Sequence, residues 1–151
     1  MTISNRLAEL GITLPTPPAP VGSYVPAIRA GNMVFTSGQL PIKDGKLIAA
    51  GKVPTAVPID AAKEAAELAA LNALSQVHTL AGIDNVKQVV RINVFVNSAA
   101  GFTDQAKVAN GASDLLTKIL GDAGKHARCA IGAAELPLNA AVEVDIIVEV
   151  E

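Results

Sequence analysis

The 151-residue chain predicts one α+β domain, a mixed sheet with two long helices laid on one of its faces. Three observations lead there. From Ala141 onward the residues alternate, with Val142, Val144, Ile146, Val148 and Val150 on one parity. Glu143, Asp145 and Glu149 lie on the other, interrupted by Ile147, which is the pattern of a strand with two unlike faces. Residues 58–81 and 102–120 change to a helical period, and the segments around them return to period two or to turn chemistry. The resulting order is β-β-α-β-α-β-β, with four to six strands expected in the sheet.

Residues 3–12 read as a short helix, with Ser4 or Asn5 as cap and Gly11 as stop. Pro15, Pro17, Pro18 and Pro20 then exclude helix and interior strand, so residues 1–20 form a helix and an extended arm ahead of the main body. Asn32–Ser37 is a strand, and Asp44-Gly45 between Ile42 and Leu47 signals a hairpin. The first long helix takes Asp60 as N-cap and Gly82 as its stop, with Ala66, Ala70, Ala73, Val77 and Leu80 as its apolar stripe and Leu74 beside it. In the strand Val86–Asn97, Val90, Ile92, Val94 and Val96 share one face; Arg91, Asn93 and Asn97 share the other with Val89 and Phe95. The second long helix runs from Phe102 to Leu120, and Gly121-Asp-Ala-Gly124 is a stop followed by a turn.

With both helices on one face, the opposite face carries Arg91, Asn93, Glu143 and Asp145 together with Phe95 and Ile147. That mixture is too apolar for a wet surface and too charged for a core. Packing against copies of itself in a closed ring would resolve the conflict and leave clefts at the seams.

Composition narrows the function. The formal net charge is -2 and there is no basic run, which gives nucleic-acid binding no electrostatic support. No segment is long and apolar enough for a membrane span, the first residues lack a signal-peptide pattern, and the one cysteine suits a reducing compartment, so the expected location is cytoplasmic. Phosphate-binding glycine motifs and zinc-hydrolase motifs are missing, and His78 and His126 are too few and too separated for a metal site. The ordinary reading of Cys129 is a small buried hydrophobe with an inert thiol. Asp145 and Glu149 read as a polar strand face.

Arg128 and Glu143 invite a sharper reading. A guanidinium offers a planar fork for a carboxylate, and a glutamate can hold and polarise a water. If the Pro137–Asn139 turn centres a hairpin, Arg128 falls opposite a residue near Val148 and on the wrong parity. A bulge or a one-residue slip would reverse that, so spacing leaves both arrangements open.

Three pieces of the chain taken together resemble a known family. Gly22-Ser-Tyr24, Gly31-Asn-Met-Val-Phe-Thr-Ser-Gly-Gln-Leu-Pro41 and Arg128-Cys-Ala-Ile, followed by Leu136-Pro137 and Val142-Glu-Val144, are similar to the RidA/YjgF reactive-intermediate imine deaminases. The Pro-rich arm and the ending resemble a longer YjgF-like branch, and the likeness runs from about Pro20 to the end. It implies a chorismate-mutase-like fold in a barrel-like homotrimer. It also implies hydrolysis of enamine/imine intermediates such as 2-aminoacrylate to 2-keto acids and ammonia, without cofactor or metal. By that resemblance Arg128 holds the substrate carboxylate, Glu143 places the water, and Tyr24, Ser37 and Cys129 complete the substrate-binding set. Two departures stand out: Ala99-Ala100-Gly101 replaces a loop asparagine, and Gly132 replaces a glutamate common after the arginine. The alternative is a non-catalytic trimer that binds a small carboxylate metabolite as a sensor or chaperone-like partner. A ribonuclease or translation-inhibitor role, reported for some relatives, sits badly with the charge.

Overall fold

In chain order the computed structural model contains α1 (Ile3–Glu9), β1 (Ala27–Ala30), β2 (Met33–Thr36), β3 (Ile42–Lys43), β4 (Lys46–Leu47), α2 (Ile59–Ala81), β5 (Val86–Asn97), α3 (Gln105–Leu120), β6 (Ala127–Ala133) and β7 (Val142–Val150). It describes residues 1–20 and 22–151. Five strands form one sheet in the order β1-β2-β7-β5-β6, and β3 with β4 makes the separate hairpin expected at Asp44-Gly45. All pairings in the large sheet are antiparallel except β5 with β6, which the α3 crossover joins in parallel.

The strict alternation of β7 is realised without fault. Val142, Val144, Ile146, Val148 and Val150 are fully buried under the helices, while Glu143, Asp145, Ile147 and Glu149 are half-buried on the open face. Alanines make the helix layer thin. Ala62, Ala65, Ala66, Ala69, Ala70 and Ala73 of α2 are all fully buried, so its backbone comes close to both sheet and α3. At the tightest point a Cβ added to Gly111 of α3 would lie 2.1 Å from the Lys63 carbonyl oxygen of α2. No helix among the described residues is long and apolar enough to cross a membrane.

Several boundaries differ from expectation, each for a local reason. Thr2 caps α1, its hydroxyl accepting from the Asn5 amide at 3.1 Å, because Ser4 is engaged by Asp84: its amide donates to Asp84 Oδ1 at 2.8 Å. Pro58, not Asp60, stands at the start of α2, and no side chain caps it. Leu80 is largely exposed rather than part of the buried stripe. The second long helix starts at Gln105, three residues after Phe102. In β5 two register shifts, between Val86 and Gln88 and between Val89 and Arg91, turn Val89 into the core and leave Val90 half-buried. Asn97 is not on a wet face: it is fully buried and donates to the Ala140 carbonyl at 3.1 Å. The Pro137–Asn139 segment is a single 3-10 turn, and the strands it links are not hydrogen-bonded to each other, because β5 lies between them.

Gly111→Ala is expected to lower stability by about 2–3 kcal/mol, since overpacking outweighs the roughly 1 kcal/mol gain in helix propensity. Chemical denaturation checks this; an unchanged or raised midpoint would mean that α2 and α3 separate freely at the crossing.

Candidate functional site

The residues singled out by sequence fall into two groups on opposite faces of the sheet. In β6, Arg128 pairs with Ile92 of β5, which pairs with Ile146 of β7; both isoleucines are buried on the helix side, and Arg128 shares their side. Glu143 pairs with Phe95, which pairs with Ile131, and this row projects from the open face. The two rows are three residues apart along β6, roughly 10 Å. Within one chain, therefore, Arg128 and Glu143 do not meet. The hairpin geometry that left their parity open is replaced by a parallel crossover that settles it.

Glu143 stands at the end of β2 and β7. Gln39 and Val144 exchange backbone hydrogen bonds of 2.7 and 2.9 Å, which brings Gly38 against the glutamate. A Cβ on Gly38 would sit 2.5 Å from Glu143 Oε1, so the glycine lets that carboxylate keep this position and a larger residue would displace it. Ser37 binds the preceding loop: its hydroxyl donates to the Val25 carbonyl at 2.6 Å and its amide to the Pro26 carbonyl at 2.9 Å. This contact holds the Tyr24 loop beside the strand end, where Tyr24 and Gly38 share the wall of a small cleft with Gln39, Gln76 and Leu138. Tyr24, Ser37, Gly38 and Glu143 are thus assembled by one strand end.

Deeper on the same face runs a hydrogen-bonded row. Arg91 donates to Asn93 Oδ1 at 3.3 Å and to the Cys129 sulfur at 2.9 Å, and Asn93 donates to Asp145 Oδ1 at 2.8 Å. Cys129 is exposed here, not buried, because the odd positions of β6 point away from the helices. Burial raises the pKa of Glu143 above its ordinary range, and the Asp145 charge adds to the effect. Burial likewise raises Asp145, against the opposing pull of the Asn93 hydrogen bond and the Arg91 charge.

On the helix side, Arg128 is held by α3. Its Nη1 donates to Asn110 Oδ1 at 2.8 Å and to Ser113 Oγ at 3.2 Å. Ser113 in turn lies 2.9 Å from His126 Nε2, and His126 Nδ1 lies 2.6 Å from the Gly124 carbonyl. None of the ion pairs among the described residues involves Arg128. Its charge is oriented by neutral groups and left uncompensated. Asn110, Ser113 and Gly38 were not marked by sequence reasoning, since α3 packs on β6 only through tertiary structure; the glycine had a signal in its place between Ser37 and Gln39. The substituted position Gly132 is filled by a neighbour: a Cβ there would come within 2.9 Å of Gln105 Nε2. No group of three or more His, Cys, Asp or Glu side chains among the described residues is placed to hold a metal.

Raised carboxyl pKa values mean that the folded chain binds these protons more tightly than the unfolded chain. Their contribution to stability is present at acid pH and is lost as pH rises from the ordinary carboxylate range through the raised values. Asp145→Asn keeps an acceptor for Asn93 and removes one charge. It is expected to melt higher than the parent at pH 8, with the difference closing toward pH 4; melting curves across that range check the sign.

A YjgF family model, described as "YjgF/chorismate_mutase-like, putative endoribonuclease", matches residues 4–150. Protein TCP17 of Trypanosoma cruzi is 44% identical over 149 residues, covering 97% of this chain and 93% of the relative. The 2-iminobutanoate/2-iminopropanoate deaminase of Escherichia coli K12 is 30% identical over 132 residues, covering 86% and 89%. Among solved structures, the Agrobacterium tumefaciens protein Atu1372, of unknown function, superposes with a TM-score of 0.91 at 44% identity, covering 99% of this chain and 92% of that one. The fold, the residues matched from end to end and these relatives place the chain in the YjgF/chorismate mutase-like family.

Proposed function

We propose that the protein hydrolyses small enamine/imine intermediates bearing a carboxylate, such as 2-aminoacrylate, to 2-keto acids and ammonia. The observation that carries this reading is the Arg128 guanidinium, oriented by Asn110 and Ser113 yet paired with no carboxylate of its own. Such a cation is prepared for an anionic group brought by the substrate. The name of the Escherichia coli relative adds the class of reaction.

The chemistry asks for little. The enamine tautomerises to the imine, and a protonated C=N bond is already a strong electrophile. Water adds to its carbon, giving a carbinolamine; collapse to the C=O bond expels ammonia, with one water consumed for each C=N bond broken. Glu143 takes a proton from the attacking water and returns it to the departing nitrogen. A carboxyl whose pKa is raised by burial is better matched to both transfers near neutrality. Tyr24 and Ser37 lie beside it at the same strand end, and Cys129 follows Arg128 on β6.

Because Arg128 and Glu143 lie on opposite faces of one sheet, the reading requires two copies of the chain, Arg128 of one facing Glu143 of the next. Two features favour such packing. Strand β6 is a sheet edge, and the open face exposes Ile28, Phe35 and Ile131 around its polar row. A closed ring of three copies, located in the cytoplasm, fits both.

Arg128→Ala is expected to reduce keto-acid release from an imino acid generated in the assay by 100-fold or more, on the order of 3 kcal/mol of transition-state binding. Glu143→Gln is expected to lower kcat by roughly 10²-fold while leaving oligomerisation intact. An Arg128→Ala rate equal to the parent's would sink the assignment. Tight binding of a keto acid with no turnover by the parent protein would instead favour a metabolite-binding trimer.

A further inference from the structure

We infer that Ser113 and His126 form a positioning relay that sets the guanidinium of Arg128 for an incoming carboxylate; the inference rests on the role given to Arg128 above. The direction of each hydrogen bond follows from elementary chemistry. A carbonyl only accepts, so the contact of 2.6 Å between His126 Nδ1 and the Gly124 oxygen requires the proton on Nδ1. In the neutral ring Nε2 is then unprotonated and must accept, and Ser113 Oγ, 2.9 Å away, is the donor. Ser113 has one proton. Spending it on the ring leaves only lone pairs on its oxygen, and these face Arg128 Nη1 at 3.2 Å. The chain of bonds therefore runs from Arg128 to Ser113 to His126 to Gly124, and Asn110 Oδ1 accepts from the same Nη1 at 2.8 Å.

This arrangement does two things at once. A free hydroxyl rotates between donor and acceptor poses, and in the donor pose it would point a proton at the guanidinium. With His126 taking that proton, the hydroxyl is fixed as an acceptor. Both acceptors that hold the guanidinium are also uncharged, so they orient it without competing for its charge, as an aspartate at either place would. The 3-10 turn Gly121–Gly124 after α3 supplies the carbonyl that sets the tautomer. His126 immediately precedes β6, two residues before Arg128, and Ser113 lies across on α3, so the relay ties the arginine to the segment entering β6 and to the helix.

His78 supplies an internal control. Its Nδ1 accepts from the Ile83 amide at 3.1 Å, which requires the opposite neutral tautomer, with the proton on Nε2. Long-range ¹H–¹⁵N spectra of the full chain at pH 9, assigned with a His126→Gln variant, are expected to show one histidine of each tautomer, His126 protonated on Nδ1. Finding His126 protonated on Nε2 overturns the relay. In kinetics, Ser113→Ala is expected to raise KM for the imino acid, and Kd for the product analogue 2-oxobutanoate, about tenfold with kcat within about twofold. Ser113→Thr, which keeps the hydroxyl, restores both, and Ser113→Ala combined with His126→Phe is no worse than the weaker single variant because the two act as one unit. If Arg128→Ala is inactive while folded Ser113→Ala keeps the parent's KM and Kd, the relay falls and the proposed function stands. If Arg128→Ala retains full activity, both fall.

Discussion

The place of β5 between β6 and β7 decides what this molecule can do. A strand, a helix and a second strand in one sheet connect by a crossover, and the second strand then runs parallel to the first. That topology lays Arg128 beside Ile92 and gives it the parity of the core. It also lays Glu143 beside Phe95 with the parity of the open face. No rotamer change moves a side chain from one face of a sheet to the other. Separation of the two groups is therefore a property of the topology, and any reaction that uses both draws them from two copies of the chain.

The open face gains a different character from the same register. Successive rows place Arg91, Asn93 and Phe95 of β5 next to Ile147, Asp145 and Glu143 of β7. Burial raises both carboxyls of that strand face; the Asp145 charge adds to the rise at Glu143, while the Asn93 hydrogen bond and the Arg91 charge oppose the rise at Asp145. Burial and the neighbouring Asp145 charge both act on Glu143 in the same direction, and Gly38 lies close to it. Glu143 therefore holds its proton more tightly than an ordinary glutamate, while Asp145 is tied into a hydrogen-bonded row.

Much of this was legible in the sequence because the periods were clean. The alternation of β7, the limits of β5 and the alanine-rich face of α2 follow from residue order alone, since a two-residue or 3.6-residue repeat maps directly onto a face. What escaped depends on contacts between distant segments. The register shifts that swap Val89 and Val90 carry no signature in a run of apolar residues. Ser4 forfeits the capping of α1 to Thr2 because Asp84, 80 positions away, claims it. The position of β6 is the largest such case: a strand following a helix and preceding a turn reads equally well as half of a hairpin. Only the packing of α3 shows that it docks on β5 instead. Tyr24, Ser37 and Glu143, all marked by motif, do gather at one strand end; the partners of Arg128 on α3 lay beyond any spacing rule.

The three arginines of or beside the sheet differ in a way that singles out one of them. Arg29 spends its guanidinium on the backbone carbonyls of Gly31 and Glu151, each at 2.9 Å, and so closes the end of the chain onto β1. Arg91 lies in the row with Asp145 and lowers that carboxyl's pKa, so part of its charge is already answered within the fold. Arg128 alone is held by two side chains that carry no charge, an amide and a hydroxyl, on a helix that keeps it at the sheet edge. An uncharged acceptor orients a guanidinium without neutralising it. The neutral cradle therefore keeps the charge of Arg128 available to an anion, which is what the proposed reading asks of it.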